Sequence, residues 1–136
     1  MSTTILYGDE KLALVVETIT GAKTLTASDS GKSFTLLASA GAEVTLPAVA
    51  VKGFKARFTV GQLFATTNWT LKSATNIIQG SANVNSVLVP GANENTISFV
   101  ATADSVGDYI EIYSDGTNFY AYGIGALAGG ITFTAV

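Results

Sequence analysis

The sequence predicts an all-β protein, an antiparallel β-sandwich of jelly-roll type or a small β-barrel. Three observations carry this. Apolar and polar residues alternate with period two in nearly every segment, the signature of half-buried strands. Turn signals recur about every 8–12 residues, the spacing of a sandwich or barrel. No long stretch carries a 3.6-residue apolar stripe between helix caps.

Taken in chain order, residues 1–11 hold only scattered apolar positions and read as an N-terminal arm ahead of a single β-domain over 12–136. Strand-like segments follow at 12–20, 23–27, 33–37 and 43–46. The second and third are separated by a Ser-Asp-Ser-Gly turn, and the fourth stops at Pro47, which has no N–H to give a ladder. In 54–60, Phe54, Ala56, Phe58 and Val60 share one face, and Lys55, Arg57 and Thr59 share the other. Further segments lie at 69–73, 76–79 and 86–89. Ser81–Asn85 and Gly91–Asn95 echo each other ten residues apart and read as turns or loops, because asparagine tolerates left-handed backbone. In 96–102, Ile97, Phe99 and Ala101 oppose Thr96, Ser98, Val100 and Thr102. Ile110 and Ile112 oppose Tyr109, Glu111 and Tyr113 in 107–113. Asp115-Gly116 then turns the chain into 117–123, since glycine accepts positive φ without a Cβ clash. A glycine-rich stretch leads to a last strand over 131–135. Some of these segments merge in this reading, giving about eight to ten strands. The last strand either closes its own sheet or pairs with another chain.

Composition narrows the function. The chain has 136 residues, enough for one buried core. Charged residues are 12% of it, against roughly 25% in a typical soluble domain, and the formal net charge is −3. Either the surface is built from Thr, Ser, Asn and Gly, or much of it is covered by neighbouring subunits, whose interface cores exclude Lys, Glu and Asp. No apolar run approaches the ~18–20 residues that cross a bilayer. Asp9, Glu10 and Lys11 interrupt the N-terminal apolar stretch, and no basic segment precedes it. A protein made in the cytoplasm without a membrane anchor is expected. There is no Cys and no His, which removes thiol chemistry, the commonest general base and the commonest transition-metal ligand. An acidic chain is a poor nucleic-acid ligand.

No motif calls for a cofactor, a metal or a catalytic residue. Gly31-Lys32-Ser33 lacks the first glycine of a phosphate loop, because Thr26 stands there, and the residues after it read as strand rather than helix. Asp104, Asp108 and Asp115 do not follow a calcium-loop pattern. No pair stands out among the ten acids as a glycosidase pair. Lys52, Lys55 and Arg57 form the one basic cluster, on a solvated strand face or against an acidic partner. Trp69, Tyr109, Tyr113, Phe119, Tyr120 and Tyr122 serve either as core and cross-strand pairs or as a sugar-stacking platform.

"SDGTNFYAYG" resembles a hairpin of tailed-bacteriophage virion proteins, and "LTASDSGKSFTLLASAGAEVTLP" resembles a companion pattern in the same proteins. With "GFKARFTVG" and "NIIQGSANVN", the resemblance covers residues 24–123. It implies a β-rich, often trimeric structural component without enzyme activity. The short chain suits a capsid decoration (cement) or head-fibre-like protein better than a long tail fibre. The expectation is therefore a homotrimer on the capsid exterior that binds the major capsid protein and stabilises the shell. Neither nucleic acid nor membrane is expected as a partner. Ile5, Leu6 and Tyr7 of the arm and Ile131, Phe133 and Val136 of the last strand are the candidate assembly contacts. A second function class is a receptor- or carbohydrate-binding module of a phage fibre, with sugars stacking near Trp69 or Tyr120. An enzyme is the third and least favoured.

Overall fold

A computed structural model describes residues 14–49 and 51–136. It is a two-layer β-sandwich with no α-helix among the described residues. The strands are β1 (Val15–Ile19), β2 (Lys23–Thr24), β3 (Lys32–Leu36), β4 (Glu43–Thr45), β5 (Lys55–Val60), β6 (Trp69–Lys72), β7 (Ile78–Val84), β8 (Val87–Glu94), β9 (Thr96–Phe99), β10 (Tyr109–Ser114), β11 (Phe119–Gly125) and β12 (Ile131–Thr134). The larger sheet has seven strands in the order β1-β3-β5-β10-β11-β7-β8, and the smaller has five in the order β12-β9-β6-β4-β2.

The fold class is the one predicted, as a sandwich and not a closed barrel. The pairing is mixed, with five of ten strand pairs parallel. The first six strands explain most of this. The chain alternates between layers, so β1, β3 and β5 lie side by side in one sheet and β2, β4 and β6 in the other. Parallel neighbours need a crossover, and here the strand in the opposite layer provides it. After β6 the pairings are antiparallel, with hairpins β7–β8 and β10–β11, except that β11 runs parallel to β7.

Two segments read as turns lie mostly in strands. Ser81–Val84 belongs to β7, and the turn is only Asn85-Ser86, with φ of 51° and 63°. That is the positive-φ pair of a two-residue hairpin. Gly91–Glu94 belongs to β8, and Asn95 alone links β8 to β9 in the other sheet. Asn95 also pins the last strand: its Nδ2 donates to the Val136 carbonyl and its Oδ1 accepts the Val136 N–H, both at 2.9 Å.

The inward faces interdigitate into one core. Phe34, Phe58, Trp69, Phe99 and Phe119 are fully buried, and the Phe34 and Phe58 rings stack with centroids 5.3 Å apart. Glycine is required where a ring needs room: a Cβ on Gly91 would lie 2.4 Å from the Phe133 ring. The Trp69 indole N–H is buried without a hydrogen-bond partner.

A small ion cluster ties the two layers at the β1 edge. Glu17 pairs with Lys23 of the smaller sheet at 2.9 Å and with Lys32 at 3.0 Å, and Lys32 also reaches Asp29 at 2.8 Å. Bonds from Lys23 and Lys32 hold the Glu17 carboxyl below its ordinary range. Burial works to raise Asp29, but the Lys32 ammonium and the Thr26 N–H outweigh it and the net shift is downward. Carboxylates lowered in the folded state stabilise it above their unfolded pKa, about 4, and that contribution is lost as pH falls through the folded values. Unfolding midpoints measured in urea should therefore decline below about pH 4. Lys32→Met should flatten that decline, and an unchanged profile would show that the cluster contributes nothing.

Candidate functional site

The outer face of the seven-stranded sheet is the main surface the fold presents. Strand register sets its side chains in rows. One row runs Thr18, Thr35, Thr59, Tyr109, Ile124, Asn83, Leu88 across the strands. The next runs Val16, Ser33, Arg57, Glu111, Tyr122, Ser81, Pro90. A third sets Lys55 beside Tyr113, Tyr120 and Gln79. The period-two pattern put Lys55, Arg57 and Thr59 on one face, and the register adds four tyrosines to that face.

At one end of the sandwich five apolar side chains are exposed. Leu88 and Ile124 project from the outer face, Val87 beside Leu88 projects from the other side of edge strand β8, and Val106 and Leu127 sit in adjoining loops. All five are between 49% and 68% exposed. The loops are tied together beneath them: Asp108 Oδ1 accepts the Ala126 N–H at 3.0 Å, its Oδ2 accepts the Ser105 N–H at 3.0 Å, and Asn85 N–H donates to Gly125 O at 2.9 Å. The patch is thus held on ordered backbone rather than on free loop tips.

At the other end of the face is a groove of about 520 Å³ whose lining includes Ser33, Lys55, Arg57, Glu111, Tyr113 and Tyr122. Arg57 Nη1 donates to Glu111 Oε1 at 2.8 Å, and its guanidinium carbon sits 3.9 Å from the centroid of the Tyr109 ring. Tyr113 and Tyr120 stack at 5.3 Å across the β10–β11 hairpin. That hairpin closes on Asp115, whose Oδ1 accepts N–H groups from Thr117 and Asn118 at 2.8 Å each. Those two donors, Asn118 foremost, hold the Asp115 carboxyl below its ordinary range.

The predicted contacts fare unevenly. Ile5, Leu6 and Tyr7 lie outside the described residues. Ile131 and Phe133 need correction as assembly contacts: β12 pairs along its length with β9, and both side chains are buried in this chain's own core. Val136 is exposed. Trp69 is also corrected as a sugar-stacking residue, since it is fully buried, as is Phe119. Among the described residues, Tyr113 and Tyr122 are the exposed aromatics. Asp104 is buried and accepts the Phe64 N–H at 3.0 Å, so like Asp108 and Asp115 it serves the backbone. Gly31-Lys32-Ser33 runs into strand β3, as the sequence reading of the residues after it expected.

Sequence reasoning did not single out Val87, Leu88, Val106, Ile124 or Leu127. A signal was present for two of them: Val106 and Leu127 are apolar residues within glycine-bearing loops, "SVG" and "LAGG", where no strand face claims them. Comparison of the chain with protein-family models, curated proteins and solved structures finds no match.

Proposed function

We propose that this chain is a non-enzymatic structural protein of a tailed-phage virion. It is made in the host cytoplasm and binds the outside of the capsid as a homotrimer, stabilising the shell through contact with the major capsid protein. The observation that supports this best is the apolar end patch of Val87, Leu88, Val106, Ile124 and Leu127, supported on tied loops. Grouped exposed apolar side chains mark surfaces that other proteins cover. The phage-like motifs at 25–47 and 114–123 are what support a capsid partner and a trimer. The roles of Asp104, Asp108 and Asp115 as backbone acceptors support binding over catalysis. Burial contributes about 25 cal/mol per Å² before association costs, and many copies on one shell turn a modest affinity into avidity.

The test is co-sedimentation of purified chain with capsids stripped of decoration, backed by immunogold labelling of intact particles. Wild-type chain should pellet with capsids and label the particle exterior. Leu88→Asp with Leu127→Asp should lower apparent affinity by about 100-fold, roughly 2.7 kcal/mol, with an unchanged circular dichroism spectrum. A chain that never labels a particle, or a double variant that binds normally, overturns the proposal.

A further inference from the structure

We propose a second binding site, separate from the apolar patch: the groove at the Lys55 end of the outer face takes a short neutral oligosaccharide. Size selects the ligand class first. The groove holds about 520 Å³, inside the roughly 300–1,000 Å³ range of small-ligand sites.

Chemistry selects next. A pyranose ring has apolar C–H faces and a rim of hydroxyls, so it needs flat apolar contact beside paired donors and acceptors. Tyr113 and Tyr122, 47% and 49% exposed, give the first. Arg57 and Glu111 give the second: joined at 2.8 Å, they keep further N–H donors on one partner and a free carboxylate oxygen on the other. The Ser33 hydroxyl lies on the same lining.

Charge selects neutral over anionic sugars. Arg57 and Glu111 cancel, and Lys32 is engaged by Glu17 and Asp29. Among the described residues, Lys55 is the one lining cation outside an ion pair. A polyanion would meet a single exposed ammonium on a chain of net charge −3. The site is also preorganised. The Tyr113–Tyr120 stack fixes one ring, and the Tyr109 ring and Glu111 fix the guanidinium, so little side-chain freedom is lost on binding.

The experiment is isothermal titration with four trisaccharides: cellotriose, maltotriose, the trimer of N-acetylglucosamine and, as the charged arm, trigalacturonate. Amide chemical-shift mapping runs alongside. At least one neutral trimer should bind, with shifts centred on Arg57, Glu111 and Tyr122. Tyr122→Ala should weaken that binding by about tenfold. Tyr122→Phe, which keeps the ring and controls for folding, should retain it. Leu88→Asp, at the other end of the face, should leave it unchanged. The proposal is overturned if no neutral trimer binds, if only trigalacturonate binds, if the shifts map elsewhere, or if Tyr122→Ala binds like wild type.

Discussion

Phe58→Ala is expected to lower the unfolding free energy by about 3–5 kcal/mol, the range for deleting a buried aromatic ring. Phe58 lies on β5 between β3 and β10, and none of its surface is exposed. Its ring lies against Phe34 with centroids 5.3 Å apart and planes 14° apart. Alanine forfeits both transfer energy and the dispersion contacts of that stack, and a sheet pinned on both sides cannot collapse into the space. A domain of this kind has about 5–15 kcal/mol in total, so the variant should be marginal at room temperature. Urea unfolding checks this: the midpoint should fall sharply at an unchanged slope. Phe58→Leu, which keeps part of the volume, should fall between the two. A loss below about 0.5 kcal/mol for alanine, the range of surface changes, would mean the two rings do not pack in the folded chain.

Which side of β5 and β10 is buried was legible in the sequence, whereas β9 is buried on both sides, Thr96 and Ser98 included. Phe54, Ala56, Phe58 and Val60 alternate with Lys55, Arg57 and Thr59, and burial follows that alternation. Which strands are neighbours was not, because period two reports the face of a strand and nothing about its partner. The parallel pairs β1–β3 and β3–β5 are made by chain that leaves for the other layer and returns, so no local signal marks them. Hairpins are the exception. Asp115-Gly116 announced β10–β11 correctly because turn and strands are contiguous. The Asn85-Ser86 turn was misplaced: Ser81–Asn85 reads as loop and 86–89 as strand, whereas Ser81–Val84 are strand and Ser86 is half of the turn. Ile131 and Phe133 show the limit for the site. An apolar terminal strand reads the same whether it closes its own sheet or another chain's, and only the register with β9 decides between them. The outer face emerged from sequence as separate polar and aromatic positions. Register across three strands was needed to place Arg57, Glu111 and Tyr122 in one row.

Gly80→Ala should be comparably damaging, and for a reason that no propensity scale contains. Gly80 has φ of 135°, a backbone region that side chains rarely enter. Holding a residue with a Cβ in that region costs on the order of 1–3 kcal/mol. A Cβ there would also lie 1.9 Å from the carbonyl oxygen of Ala121, its partner on β11. Overlap of this kind adds about 1–3 kcal/mol, and backbone cannot swing aside as a side chain can. The register of β7 against β8 shifts between Ile78 and Gly80: Ala92 and Asn93 of β8 stand opposite Gln79 alone, so β8 carries the extra residue of a bulge, and Asn93 has φ of 57°. Gln79 holds Asn93 of β8 by two hydrogen bonds, 2.7 Å to its Oδ1 and 3.1 Å from its N–H. Gly80 is thus where β7 keeps close to β11 while it slips by one residue against β8. Gly107→Ala is the control: its φ is 99°, yet nothing lies within 4 Å of an added Cβ, so it carries the backbone term alone. The difference between the two variants in urea midpoint isolates the collision with Ala121. Equal losses would show that β7 and β11 separate easily at this point, and the tight parallel pairing that places Tyr122 beside Ser81 on the outer face would then be mistaken.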